Sequence, residues 1–187
     1  MNNSSPTETD LIRAARSSDR RAQGELYARY APYSLAILRR YGVADGSRAD
    51  VLQEIFVEVF TKLDRYDAKK GAFTTWLRQI TVFRCIDHQR RRAKLRYEPV
   101  TDYQLADRAT ENHLARLEAA DLLALIAELP LGYRTVFNLY AVEGYRHQEI
   151  SSLLNITEAT SRSQYHRARE RLREALIEKS KVSRYVK

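Results

Sequence analysis

The stretch YRHQEISSLLNITEATSRSQYHRARERL, Tyr145–Leu172, decides the fold. Ile150, Leu153 and Leu154 recur at the spacing of one helix face, and Ser151 is small enough to let a second helix come close. Asn155 to Thr157 then form a short turn. Thr157 is placed to cap the next helix with its hydroxyl, and Glu158 falls in the first turn, where the helix dipole favours an anion. Two helices joined by a turn of about three or four residues make a helix-turn-helix.

On the second helix Ser161, Tyr165, Ala168 and Leu172 repeat at four, three and four, which predicts a buried stripe. The opposite face presents Arg162, Ser163, His166 and Arg169, with Arg167 at its flank and no acid between Arg162 and Arg169. Guanidinium groups bond bidentately to guanine in the major groove, and Arg and Ser also bind phosphates, so this face is a candidate duplex-DNA surface. Arg171 and Arg173 have Glu170 and Glu174 beside them and read instead as a solvated, charge-balanced end.

The rest of the chain agrees with a polyanionic partner. Its 187 residues carry 32 Lys and Arg against 24 Asp and Glu, a net charge of +8, which favours nucleic acid first and an anionic membrane surface second. No apolar run reaches the roughly 18 residues of a membrane span, and MNNSSPTETD has neither a basic start nor an apolar core, so a cytoplasmic protein without membrane insertion is expected. The lone Cys85 reads as a small buried residue, and the four His show no ligand spacing; neither a metal nor a cofactor is expected.

Six Gly and four Pro punctuate a sequence whose apolar residues recur at three and four, which predicts an all-α protein with two small cores. One helical block is expected from about Thr9 to Tyr41, with Leu11, Ala15, Leu26, Tyr30, Leu35 and Leu38 as its stripe, ending at GVADGS. A second follows in SRADVLQEIFVEVFTKL, with Ser47 as N-cap, Asp50 three residues on, and Val51, Ile55, Val59 and Leu63 as core. A third begins after KKG and ends in a cationic tail. Residues 97–111 are polar and acidic and read as a linker; helical pattern resumes with Leu114, Leu117, Leu122, Leu125 and Leu129, and Pro130 stops that helix or opens the next.

With both halves in view, the chain resembles the extracytoplasmic-function (ECF) sigma factors of the bacterial sigma-70 family. The resemblance rests on ELYARYAPY, DVLQEIFVEVFTKL and GAFTTWLRQITVFRCIDHQRRR in the first half, and in the second on the string from ELPLGYRTVF through the helix-turn-helix. It implies two helical domains: sigma region 2 over residues 10–96 and sigma region 4 over 112–180, flanked by a disordered N-terminus (1–9), the linker (97–111) and a basic tail (181–187). It implies an RNA polymerase sigma factor rather than an enzyme. Region 2 would dock on the clamp helices of core RNA polymerase and capture the −10 strand; region 4 would dock on the flap and bind the −35 duplex. An anti-sigma protein is the further partner the family suggests.

Residue by residue, the resemblance assigns Asp50, Gln53 and Glu54 to polymerase binding, as a polar ridge beside the core stripe. It assigns Phe73, Thr75 and Trp76 with Arg84, Asp87, His88 and Arg91 to the −10 element, although Phe73 and Trp76 are equally suited to a core. Six cations between Arg84 and Arg96 against Asp87 alone are too dense for a balanced surface. The −35 set is Arg162, Ser163, His166, Arg167 and Arg169. Four positions depart from the family pattern: Phe83 stands where a polar Asn is frequent, Ser161 where an apolar residue packs, and Asn155 and Ala159 where Gly is frequent. Asn tolerates the left-handed conformation such a turn requires.

Energetics favour a subunit over an autonomous melting enzyme. Opening about a dozen base-pair steps costs on the order of 17 kcal/mol, whereas each captured base returns about 1–3 kcal/mol. The chain has no GxxxxGK[ST] loop to couple nucleotide hydrolysis to that opening. A stand-alone helix-turn-helix regulator is the alternative; it predicts tight duplex binding by the protein alone and a dimer interface, for which no heptad zipper is present. A nucleic-acid enzyme would need an acidic metal cluster or a nucleophile constellation that the carboxylates here do not form.

Overall fold

A computed structural model describes residues 6–95 and 119–185 of the chain. The expected linker, and Leu114 and Leu117 with it, lie outside the described residues. The described residues are mostly helical, without a strand, and cluster into two compact units, one running to Arg39 and from Val43 to Leu95, the other comprising Arg40–Gly42 and the residues from α5 onward.

The first unit contains α1 (Glu8–Arg16), α2 (Arg20–Arg40), α3 (Asp45–Thr61) and α4 (Phe73–Leu95), with a 3-10 turn at Leu63–Arg65. Thr7 caps α1, its Oγ1 accepting from the Asp10 N–H at 3.2 Å, so Glu8 and Thr9 already belong to ordered helix rather than to a disordered end. The single block expected from Thr9 to Tyr41 is two helices. Ser18 adopts φ 62°, and the Asp19 carboxylate accepts from the N–H groups of Arg21 and Ala22 at 2.8 and 3.1 Å, opening α2. The short polar residues Ser17-Ser18-Asp19 carry that break, because their side chains compete for backbone groups. Ser47 is not the N-cap of α3 as expected: the helix starts at Asp45, with Ala44 at the cap position three residues before Ser47 and no side-chain cap.

Val51, Leu52, Ile55, Phe56 and Val59 of α3 are buried and meet Leu77, Ile80, Val82, Cys85 and Ile86 of α4 in the core. An aromatic group closes one side: Tyr30 and Tyr66 lie 4.9 and 5.3 Å from the Phe73 ring, and Phe73 lies 5.7 Å from Trp76. Arg16 at the end of α1 donates to the carbonyls of Leu63 (3.2 Å) and Tyr66, satisfying a turn that has no helical continuation.

The second unit contains α5 (Ala119–Glu128), α6 (Leu131–Phe137), a π turn at Asn138–Val142, α7 (His147–Leu154) and α8 (Glu158–Tyr185). Leu125, Ile126 and Leu129 pack on Ala168 and Leu172, with Leu122, Tyr133 and Phe137 partly covered around them. Pro130 opens α6, and the Arg134 guanidinium donates to the Leu129 carbonyl at 3.2 and 2.8 Å, tying off the end of α5. Gly144 sits at φ 79°, a conformation only glycine adopts cheaply, and lets the Tyr145 N–H reach back to the Leu139 carbonyl at 2.9 Å before α7 begins.

Ile55→Ala, at a fully buried position, should cost about 2–5 kcal/mol in denaturant unfolding. Val57→Ala, two residues away and 60% exposed, should cost less than about 0.5 kcal/mol.

Candidate nucleic-acid interface

The helix-turn-helix forms as expected in the second unit. Asn155 ends α7 in the left-handed conformation (φ 55°, ψ 48°), its N–H bonded to the Ser151 carbonyl. Thr157 Oγ1 accepts from the Thr160 N–H at 3.0 Å, capping α8. Ser161, Ala168 and Leu172 are buried, Tyr165 is half-buried, and Arg162 and Arg169 are exposed, with Ser163, His166 and Arg167 partly so.

The cations of this face are less unopposed than charge counting suggested. Arg162 pairs with Glu158 one turn earlier, His166 Nδ1 lies 3.5 Å from Glu170 Oε2, and the Arg169 guanidinium stands over the Tyr165 ring at 5.9 Å. Both carboxylates are i,i+4 partners on the same helix. The exposed Arg162–Glu158 pair contributes little to stability and is easily exchanged for a phosphate.

Ser161, standing where an apolar residue is usual, is buried but not left without a polar partner. Its buried hydroxyl lies 2.9 Å from His147 Nδ1 at the start of α7, so it has a polar partner across the turn. His147 stacks on Tyr140 with centroids 4.3 Å apart, and Tyr165 lies 4.5 Å from Tyr140. These contacts fix the angle at which α8 leaves the turn. Burial pushes the His147 pKa below its ordinary value; Arg162 adds to this and Glu158 opposes it.

In the first unit, Asp50 and Gln53 are exposed on α3, but Glu54 turns toward α4. It lies 3.6 Å from Arg84 and 3.5 Å from Arg91. Glu58, one turn on, pairs with Arg84 and with Lys62. Burial alone would raise the Glu58 pKa; hydrogen bonds from Lys62 and Arg84 outweigh it and hold the carboxyl below its usual range. On α4, a hydrogen bond from Arg91 at 2.6 Å holds Asp87 low as well. The cations of α4 are therefore balanced partly from α3, which corrects the reading of Asp87 as their lone counterion. Charges on a neighbouring helix are invisible to counting along one segment.

The structure brings Arg84, Asp87, Arg91 and Glu54 together, and leaves Arg90 and Arg92 exposed beyond them. His88 is half-buried; its Nε2 is turned inward without a hydrogen-bond partner, and burial first, then Arg92, depresses its pKa. Thr75 is exposed and Trp76 half-buried. Phe73 is 1% exposed, so its ring belongs to the aromatic core and is not presented to a base, a correction to its place among the −10 residues. Val57, following Gln53 by one turn on the outer face of α3, is exposed and was assigned no role in the sequence; Phe83, the position where the family more often has Asn, is exposed on α4. The i,i+3,i+7 spacing of Asp50, Gln53 and Val57 is the signal that would have found the first.

Because the folded pKa of His147 lies below the ordinary 6.5, the folded state prefers the neutral ring. Its contribution to stability is full above that ordinary value and is lost as pH falls through the folded one. The thermal midpoint should fall between neutrality and about pH 5, and His147→Gln should flatten part of that slope; equal slopes for the two proteins would contradict the assignment.

Comparison with known proteins places these units. The family model described as Sigma-70 region 2 matches residues 26–95, and that described as Sigma-70, region 4 matches residues 119–172. The ECF RNA polymerase sigma factor SigE of Mycolicibacterium smegmatis is 35% identical over 137 residues, covering 70% of this chain and 52% of the relative, so the chain spans about half the length of that relative. The ECF RNA polymerase sigma factor SigW of Bacillus subtilis is 32% identical over 139 residues, covering 68% of this chain and 74% of the relative. Among solved structures, that of CnrH in complex with the cytosolic domain of CnrY matches at 26% identity and a TM-score of 0.47, covering 89% of this chain and 94% of that one. With region 2 and region 4 each matched in order, the chain belongs to the ECF sigma factors of the sigma-70 family, the promoter-directing subunits of RNA polymerase.

Proposed function

We propose that this sigma factor docks on core polymerase through Asp50, Gln53 and Val57 on the outer face of α3, with Glu54 shared between that face and α4. In this reading α8 anchors the −35 duplex through Arg162, Ser163, His166, Arg167 and Arg169. The first unit then holds the opened −10 strand with Thr75, Trp76 and the outer cations of α4. The observation that carries the reading is the exposed cationic face of α8, set opposite a buried Ser161–Ala168–Leu172 stripe. Such a face enters a major groove while its back stays on the domain core.

The chain acts in the cytoplasm without a catalytic centre of its own; the polymerase supplies the chemistry. No described helix is long and apolar enough to cross a membrane. A protein antagonist is a further proposed partner: the matched structure of CnrH holds the cytosolic domain of CnrY, and the outer face of α3 is the surface such a protein would cover to block polymerase.

Run-off transcription from randomised promoters, with core polymerase alone and with this protein added, tests the reading. Defined start sites should arise only when both are present, while the protein alone barely shifts duplex DNA. Tight duplex binding without new start sites would instead identify a stand-alone regulator.

Arg84 and Arg90 should separate structural from nucleic-acid roles. Arg84→Ala strips a partner from Glu58 and Glu54 and should lower the thermal midpoint by a few degrees, an effect of about 1 kcal/mol. Arg90→Ala, at an exposed position, should leave the midpoint unchanged and weaken binding to single-stranded −10 DNA, with a shallower salt dependence.

A further inference from the structure

We infer that His147 and Ser161 are positioning residues for −35 recognition: their hydrogen bond sets the tilt at which α8 meets the duplex, and protonation of the imidazole releases that setting, so that selectivity for the −35 element falls with acid. This deepens the function proposed above and rests on it.

Two contacts of different chemistry hold α8 on its domain. Toward its middle, Ala168 and Leu172 pack with Leu125, Ile126 and Leu129, an apolar contact that is indifferent to pH. Near its start, the fully buried Ser161 hydroxyl meets His147 Nδ1 at 2.9 Å. About 10 Å of helix separates Ser161 from Ala168. A change at Ser161 therefore tilts α8 about its apolar anchor. Arg162 and Ser163, next to the joint, move most, and Arg169, next to the anchor, moves least.

One proton decides how the joint is made. A neutral imidazole can accept the Ser161 hydrogen at Nδ1 or donate its own. The imidazolium carries hydrogen on both nitrogens, so the buried hydroxyl loses that acceptor, and a positive charge is placed where burial disfavours it. The ring is enclosed by aromatic neighbours: Tyr140 stacks on it with centroids 4.3 Å apart, and Tyr165 of α8 lies at 5.8 Å. Among the charged groups facing it from α8, Arg162 opposes a positive ring and Glu158 favours one, and these two pair with each other. On α7 itself, Arg146 precedes the ring and Glu149 follows it, the Glu149 carboxylate accepting from the Arg146 N–H at 2.7 Å. Tyr140 and Tyr165 are the other titratable groups against it, and a phenol is neutral throughout the acid range. Burial, then Arg162, outweigh Glu158, so the packed site holds the neutral ring. Ser161 belongs to the buried stripe, opposite the cationic face, so phosphate on that face does not answer a charge on His147. His166, on the cationic face, has the opposite sense: protonated, it adds a cation toward phosphate.

The test uses reconstituted holoenzyme and a promoter selected from the randomised library, beside the same promoter with its −35 element scrambled. The readout is the ratio of the two affinities, which cancels any effect of pH on the polymerase or on the −10 strand. Between about pH 7.5 and about pH 5.5 the wild-type ratio should fall roughly 3- to 10-fold, with the helical circular dichroism unchanged. His147→Asn places an amide where Nδ1 stands and does not titrate; it should keep most of the neutral ratio and lose the pH dependence. Ser161→Ala, nearly equal in volume, should show a ratio already lowered at neutral pH and a flatter profile. Both variants keep His166, so the comparison isolates the joint. A wild-type ratio equal at the two pH values, or parallel slopes in wild type and His147→Asn, would overturn the inference while leaving the sigma-factor function standing. Ser161→Ala matching wild type throughout would do the same, as would a wild-type helical signal lost in step with the ratio, which would assign the effect to unfolding. If the wild-type holoenzyme showed no selective binding at neutral pH, the function proposed above would fall first, and this inference with it.

Discussion

The ion-pair seam between α3 and α4 governs what the first unit can show to a partner. Glu58 and Glu54 reach across from α3 to Arg84 and Arg91, and Asp87 closes the group on α4. Arg84 is only 29% exposed at its side chain, so its pairing with Glu58 takes place where water screens it incompletely. Once those carboxylates are committed to the seam, the surfaces sort themselves. Asp50, Gln53 and Val57 are left facing out on α3, and Gln79, Phe83 and Arg90 on α4.

This division has a functional consequence. In the docking proposed above, polymerase would meet Glu54 at the edge of the α3 face, where it also pairs with Arg84 and Arg91 of α4. The packed aromatic group of Tyr30, Tyr66, Phe73 and Trp76 anchors the other, N-terminal end of α4.

The second unit solves a different problem. A small domain with a short α6 and α7 must hold a long recognition helix at a fixed angle. It does so with a polar contact, the Ser161–His147 pair, roofed by stacked Tyr140 and Tyr165. A hydroxyl and an imidazole specify direction as well as distance, which an apolar pair at the same place would not. The left-handed Asn155 and the Thr157 cap complete the turn from local chemistry alone.

The sequence by itself determined the helical class, the helix-turn-helix with its cap and its left-handed Asn155, the buried Ser161–Ala168–Leu172 stripe and the core stripe of α3. All are consequences of periodicity and near-neighbour chemistry, which act over one or two turns. It read less well where short polar residues compete: Ser17-Ser18-Asp19 divided an expected single helix, and α3 began before Ser47. Only the tertiary structure decided that Phe73 is core, that Phe83 and Val57 are surface, that Glu54 pairs with cations of α4 while staying partly exposed, and that Ser161 has a polar partner. Each of these depends on which face of one helix meets another, and on charges supplied from residues distant in the chain. Such contacts leave no periodic trace in a single segment, because their partners are brought together only when the helices pack.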